Sequence, residues 1–93
     1  MLFYHDGRYY LADWKTNWLG PQSQCYETAF LHAAMQDNAY YMQASIYAEA
    51  IKRYLKLVDA RPFEECFGGV FYLFLRGMHA GQSTGVYHFS VEH

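Results

Sequence analysis

The sequence predicts one small domain of the α/β or α+β class, in which helices pack on a β-sheet. The predicted elements follow the order strand, strand, helix, helix, strand, strand along 93 residues, with no internal repeat and no linker. Hydrophobic residues make up 53% of the chain and aromatic residues 20%, which is typical of a packed sheet and excludes a disordered polar segment.

The first two strands are expected to form a hairpin over residues 2–15. Asp6-Gly7 is a strong signal for a tight two-residue turn, and strand-forming residues flank it on both sides. The next segment, residues 16–21, ends in Gly20-Pro21 and is expected to be a loop.

Two helices are expected next, over residues of about 23–36 and 39–58. Ser23 is a suitable N-cap for the first helix, Asp37-Asn38 marks a break between them, and Arg61-Pro62 ends the second. Helical spacing places six residues of the second helix on one face: Gln43, Tyr47, Ala50, Ile51, Tyr54 and Val58.

The last two strands are expected at about residues 69–76 and 85–91. The first of them contains a continuous apolar run, which is typical of a strand that is buried on both faces. A polar, glycine-rich connection joins it to the last strand, which shows an alternating pattern.

Charge and cysteine content exclude several classes of protein. The formal net charge is −2, so any contact with nucleic acid must be local, assisted by a metal ion, or supplied by protein outside these 93 residues. No apolar run approaches the roughly 18 residues of a membrane-spanning helix, and the first residues do not resemble a signal peptide. Cys25 and Cys66 are expected to be reduced thiols, although a disulfide between them remains open. We therefore expect a cytoplasmic protein.

The chemically most informative segment is Asp13-Trp14-Lys15. Residues two apart in a strand point to the same face, so Asp13 and Lys15 project together from a strand that is otherwise apolar on that face. A carboxylate and an ammonium are costly to bury, so their presence on this face needs an explanation. Taken alone, Asp-x-Lys is a weak signal, and solvated side chains or a weak surface pair at an exposed strand end explain it more simply than a functional role.

Three stretches of the chain carry a resemblance to a known family. Residues 7–20 read G-R-Y-Y-L-A-D-W-K-T-N-W-L-G, Gln43 and Tyr47 form a Q-x-x-x-Y pattern followed by Tyr54-Leu55, and residues 68–77 read G-G-V-F-Y-L-F-L-R-G. In order and spacing these stretches resemble the C-terminal nuclease domain of RecB, the beta subunit of bacterial exodeoxyribonuclease V. The resemblance spans roughly residues 3–89.

This resemblance implies a PD-(D/E)xK nuclease core, in which helices flank a mixed sheet. It implies that Asp13 is the second metal-binding acid, that the main-chain carbonyl of Trp14 is a metal ligand, and that Lys15 is the motif lysine. Gln43 and Tyr47 are implied as a helical pair that faces the catalytic site. The implied cofactor is Mg²⁺, and the implied partners are DNA, the RecC and RecD subunits and RecA, in the bacterial cytoplasm.

The sequence departs from the family pattern at both ends. In the family, the first metal-binding acid lies thirteen positions before the second, which falls before Met1, and an upstream histidine ligand is also absent. The family continues beyond the last strand into a helix. We therefore expect an incomplete domain at both ends that by itself binds metal weakly and cleaves DNA poorly or not at all.

Four basic residues are weaker candidates for contacts with the DNA backbone. Lys52, Arg53 and Lys56 form a cluster on the second helix, and Arg76 follows the apolar strand. A solvated helix face is the preferred explanation of the cluster, whereas a structural and a functional role are equally open for Arg76. Two other functions stay open for the whole chain: a non-catalytic docking module for RecA or for partner subunits, and a small structural domain in which Asp-x-Lys is incidental.

Overall fold

Four strands form one mixed sheet in the computed structural model, which describes residues 1–90. β1 (Leu2–His5), β2 (Arg8–Lys15), β3 (Phe67–Phe74) and β4 (Val86–Phe89) lie side by side in chain order. The two outer pairs are antiparallel, whereas the central strands β2 and β3 are parallel. A parallel pair needs a long crossover, and the helices between β2 and β3 supply it. The predicted α+β class with a mixed sheet is therefore confirmed.

A tight turn joins β1 to β2. Asp6 has a φ of 53° and Gly7 a φ of 85°, so both central residues adopt the left-handed conformation that a type I′ turn requires. Asp tolerates this conformation better than most residues, and Gly adopts it without steric cost.

Three helices follow β2: α1 (Thr28–Asp37), α2 (Tyr40–Val58) and the short α3 (Phe63–Cys66). The sequence prediction did not include α3. It was also wrong about the start of the first helix, because residues Ser23–Tyr26 form a separate 3₁₀ turn.

The chain turns at Glu27, whose extended backbone separates the 3₁₀ turn from α1. This turn directs Tyr26 into the core, where the side chain is almost fully buried and its hydroxyl accepts a hydrogen bond from the Leu19 backbone N–H at 3.0 Å. Burial of Tyr26 therefore takes precedence over the cap that Ser23 could have formed.

The break between α1 and α2 lies at Asn38 and Ala39. The Asn38 side chain donates to the Ala34 carbonyl at 2.8 Å, and Ala39 takes a left-handed conformation with a φ of 56°. A non-glycine residue in this conformation ends a helix and changes the chain direction. α2 therefore starts at Tyr40 and crosses the sheet.

The hydrophobic core lies between one face of the sheet and helices α1 and α2. β3 contributes Val70, Tyr72 and Phe74, which are fully buried. The helices contribute buried residues of complementary size, namely Leu31, Ala34, Met35, Ala44, Ala48 and Leu55. The small alanines of α2 allow the helix to approach the sheet closely.

Two expectations about burial were wrong. β3 is buried on one face only, because Phe71 and Leu73 point to the opposite face and are half-buried. The buried side of α2 is centred on its alanines, whereas Tyr54 and Val58 are 50% and 52% exposed. Their position in the helical repeat turns them away from the sheet.

The opposite face of the sheet carries a row of aromatic side chains, one from each strand. Phe3 stacks on Tyr10 with ring centroids 5.4 Å apart, Tyr10 lies 5.6 Å from Phe71, and Phe71 stacks on His88 at 4.6 Å. None of these four residues is fully buried. We refer to them below as the aromatic row.

The cysteines are free thiols in this structure: Cys66 is buried and Cys25 is half-buried. Within residues 1–90, no helix is long and apolar enough to cross a membrane. The third and fourth strands end at Phe74 and Phe89, earlier than expected, because residues 75–77 form a 3₁₀ turn and Ser90 has left the sheet. Val91, which the prediction placed in the last strand, lies outside the described residues.

Candidate active site

The candidate site lies at the end of β2, on the sheet face that α2 covers. Asp13 pairs in register with Tyr72 of β3, and Lys15 pairs with Phe74. Lys15 Nζ lies 3.2 Å from Asp13 Oδ2, and the two side chains are only 14% and 21% exposed. The ion pair is therefore much less solvated than the surface pair that was the alternative explanation of this motif.

Helix α2 brings two more predicted residues to this ion pair. Lys15 Nζ donates to Gln43 Oε1 at 3.1 Å, and the Tyr47 hydroxyl donates to Asp13 Oδ2 at 3.2 Å. Gln43 and Tyr47 are four residues apart, so one face of the helix presents both. Burial, together with the nearby negative charge of Asp13, raises the pKa of Tyr47 and keeps its hydroxyl protonated. The structure thus joins all four residues in one network.

Two tyrosines that were not singled out from the sequence complete the surroundings of Lys15. Its Nζ lies 4.1 Å from the centre of the Tyr40 ring and 5.4 Å from the centre of the Tyr72 ring. Aromatic rings attract an ammonium group through their electron-rich faces. Tyr40 lies three residues before Gln43, a helical spacing that could have indicated it. Tyr72 could not be found without the pairing of β2 with β3.

A cavity of about 350 Å³ opens beside the carboxylate. Asp13 and Tyr47 are its polar lining side chains, and the other lining residues are Met1, Leu11, Ala12, Ala50 and Ile51. Tyr47 donates a hydrogen bond to Asp13 Oδ2 and Lys15 forms its ion pair with the same oxygen, so Oδ1 receives no hydrogen bond from residues 1–90. One carboxylate oxygen therefore remains available to a further ligand.

The described residues do not form a complete metal site. Magnesium takes about six oxygen ligands, usually including one or two carboxylates. Asp13 offers one open oxygen, but no group of three or more His, Cys, Asp or Glu side chains gathers anywhere in residues 1–90. Trp14, whose main-chain carbonyl was the second predicted ligand, lies between Asp13 and Lys15 in β2, and its side chain is half exposed.

The basic candidates do not gather at the site as a group. Arg76 is near it, because its Nε donates to the carbonyl of Thr16, the residue after Lys15, at 2.7 Å. Lys52 and Arg53 lie on α2 about two and a half turns beyond Gln43. Arg53 is highly exposed and pairs loosely with Glu49 at 3.8 Å, as expected for a solvated helix face.

Comparison with known proteins agrees with the sequence patterns. The RecBCD enzyme subunit RecB of Escherichia coli K12 is 47% identical over 79 residues, which cover 84% of this chain. The protein of the same name from Haemophilus influenzae is 42% identical over 89 residues, or 95% of the chain, and that of Buchnera aphidicola from Schizaphis graminum is 37% identical over 84 residues, or 89%. The chain belongs to the RecB family.

This RecB-family chain spans about 7% of the length of these relatives. No protein-family profile matches it. The family relationship that its motifs suggested is confirmed, whereas the chemistry of the site depends on the geometry described above.

Proposed function

We propose that residues 1–93 form part of a metal-dependent DNA nuclease domain of the exodeoxyribonuclease V type, with the PD-(D/E)xK fold. Such a domain hydrolyses phosphodiester bonds during double-strand-break repair and recombination. The observation that carries this proposal is the continuous network from Tyr47 through Asp13 and Lys15 to Gln43. In this proposal the domain acts in the bacterial cytoplasm, within a complex with RecC and RecD.

Each member of the network has a chemical role in phosphodiester hydrolysis. The Lys15 ammonium stabilises negative charge on the phosphate in the transition state or orients the attacking water. Asp13, oriented by the Tyr47 hydroxyl, offers Oδ1 to a metal ion together with the main-chain carbonyl of Trp14. When bound, Mg²⁺ lowers the pKa of a coordinated water and neutralises charge on the phosphate.

The remaining metal ligands would have to come from outside the described residues. The family pattern places the first acid thirteen positions before Asp13, and one carboxylate alone leaves most of the magnesium shell to water. We therefore propose that this chain alone binds Mg²⁺ weakly and has little or no nuclease activity. Arg76 would contact a DNA phosphate beside the site, and Lys52 and Arg53 would contribute only to distant backbone contacts.

The aromatic row favours a second candidate function, a non-catalytic docking module. Phe3, Tyr10 and Phe71 are half-buried on the sheet face opposite the hydrophobic core. Aromatic side chains are enriched at protein interfaces. In this alternative, RecA or a partner subunit binds the fold, and the Asp13 network contributes only to stability.

The test uses two versions of the protein, the chain itself and the chain extended upstream with the corresponding residues of the E. coli relative. Each is incubated with single- and double-stranded DNA in Mg²⁺, and Asp13→Asn in the extended version is the control. The proposal expects cleavage by the extended version alone and its loss in the variant. Cleavage that survives Asp13→Asn, or no cleavage by a folded extended version, would contradict the proposal.

Metal binding provides a separate measurement on the chain itself. Mn²⁺ added to isotopically labelled protein should broaden the NMR signals of residues adjoining Asp13, and Asp13→Asn should remove this local broadening. Uniform broadening in both proteins would argue against Asp13 as a metal ligand and favour the docking function.

A further inference from the structure

The hydroxyl of Tyr72 reaches the candidate site from within the sheet. Tyr72 is fully buried in β3, and its hydroxyl lies 3.0 Å from Gln43 Oε1 and 3.0 Å from the main-chain carbonyl oxygen of Tyr40. Burial raises its pKa, so the hydroxyl keeps its proton at neutral pH and remains a donor. A buried hydroxyl in a hydrophobic core is costly unless it is hydrogen-bonded, and here its partners are residues of the site.

The chemistry of its neighbours determines which way the Gln43 amide faces. An ammonium group only donates hydrogen bonds, so the Gln43 atom that lies 3.1 Å from Lys15 Nζ must be the carbonyl oxygen. Tyr72 contacts the same oxygen. The Tyr72 hydroxyl has one hydrogen, which is shared between this oxygen and the main-chain carbonyl oxygen of Tyr40. The Gln43 oxygen therefore faces Lys15 and Tyr72, while the amide nitrogen carries two hydrogens that bond to no acceptor within residues 1–90.

We propose that Tyr72 is a positioning residue, which orients Gln43 so that its amide nitrogen donates to a non-bridging phosphate oxygen of a bound DNA strand. This inference rests on the proposed nuclease function, because it requires a phosphodiester in the site. An amide N–H₂ group matches an anionic oxygen, and it cannot coordinate a cation. Gln43 is therefore assigned to the substrate rather than to the metal.

The network also explains why Lys15 alone does not fix this orientation. Lys15 Nζ is shared between Asp13 Oδ2, the Gln43 carbonyl and the Tyr40 ring, and its flexible side chain has many rotamers. Tyr72 is rigid within a central strand and a packed core. Loss of its hydroxyl would leave Gln43 with one mobile partner, and the amide would sample several orientations.

The test compares Tyr72→Phe with Tyr87→Phe in this chain. Tyr87 is a matched control, since it pairs directly with Tyr72 across β3 and β4 and its hydroxyl bonds to Tyr41 rather than to the site. NMR couplings of the Gln43 side chain report its rotamer, and titration with a short single-stranded DNA in the absence of metal reports affinity. Urea unfolding establishes that both variants are folded.

We expect one Gln43 rotamer in the parent chain and in Tyr87→Phe, and rotamer averaging in Tyr72→Phe. DNA affinity should fall about fivefold in Tyr72→Phe, which corresponds to the loss of one hydrogen bond between Gln43 and the phosphate. Gln43→Glu, which retains an acceptor for Lys15 and Tyr72 but has no amide hydrogens, should lose at least as much affinity.

Four results would overturn the inference. Gln43 could keep one rotamer in Tyr72→Phe, it could show rotamer averaging equally in Tyr87→Phe, the averaging could leave DNA affinity unchanged, or the parent chain could fail to bind DNA. Cleavage by the extended version tests the proposed function separately, so the two failures are distinguishable.

Discussion

The ion pair between Asp13 and Lys15 should be worth more than an ordinary surface pair. Exposed pairs contribute about 0.2–1 kcal/mol, whereas breaking a fully buried pair costs about 3–5 kcal/mol. The two side chains are 21% and 14% exposed and lie 3.2 Å apart, so the pair falls between these cases. We expect a coupling free energy of about 1–2 kcal/mol, which salt should weaken only slightly because solvent reaches the pair poorly.

A double-mutant cycle measures this coupling. The free energy of unfolding is obtained from urea titrations of the parent chain, Asp13→Asn, Lys15→Met and the double variant. The pair Glu49–Arg53 is the matched control: it is 61% and 81% exposed at 3.8 Å, and its coupling should stay below about 0.5 kcal/mol. Equal coupling free energies for the two pairs, or a value near zero for Asp13 and Lys15, would contradict the partial burial of this ion pair. Either result would support the explanation that the pair is solvated.

Three further predictions follow from particular contacts. The Arg61 guanidinium lowers the pKa of the Asp59 carboxyl from 3.8 to about 2, so this pair stabilises the fold above pH 3.8 and is lost as the pH falls toward 2. Asp59→Asn should flatten that part of an acid-unfolding curve followed by circular dichroism, and an unchanged curve would contradict the pairing. Burial raises the pKa of Tyr72 above its ordinary value of 10, so the free energy of unfolding should fall as the pH rises above 10. Urea midpoints measured below and above pH 10 should show a smaller fall in Tyr72→Phe than in the parent chain, and an equal fall would contradict this role of Tyr72. A Cβ on Gly77 would lie 2.1 Å from the buried ring of Tyr26. Gly77→Ala should therefore lower the free energy of unfolding, measured in urea, by at least about 2 kcal/mol. An unchanged free energy of unfolding would contradict this close packing and show that the ring can move.

Local signals in the sequence predicted the parts of the fold that depend on neighbouring residues. Asp6-Gly7 indicated a turn whose residues both adopt positive φ. The break near Asp37-Asn38 lies within one or two residues of the observed one at Ala39. These features depend on backbone conformations that few residue types favour, so the residue types at these positions are enough to indicate them.

Features that depend on tertiary packing could not be predicted in the same way. Ser23 is a good helix cap in isolation, but the burial of Tyr26 moves the start of α1 to Thr28. A run of apolar residues in β3 cannot distinguish burial on both faces from burial on one face beside a row of aromatic rings. The helical alanines that contact the sheet were missed because larger residues suggested a different buried face.

The sequence predicted which residues of the candidate site are neighbours within one element, but not how the two elements meet. Strand alternation placed Asp13 beside Lys15, and helical spacing placed Gln43 beside Tyr47. Only the family resemblance connected the two pairs. Tyr72 was missed because its role depends on the parallel pairing of β2 with β3 across a long crossover.

Cleavage of DNA by the upstream-extended protein, with and without Asp13→Asn, decides whether β2 and α2 assemble a site for phosphodiester hydrolysis from Asp13, Lys15, Gln43 and Tyr47. We expect cleavage that requires Mg²⁺ and that falls below detection in the Asp13→Asn variant, while circular dichroism shows both proteins folded. A folded protein that does not cleave, or a variant that cleaves as well as its parent, would show that these residues do not form such a site.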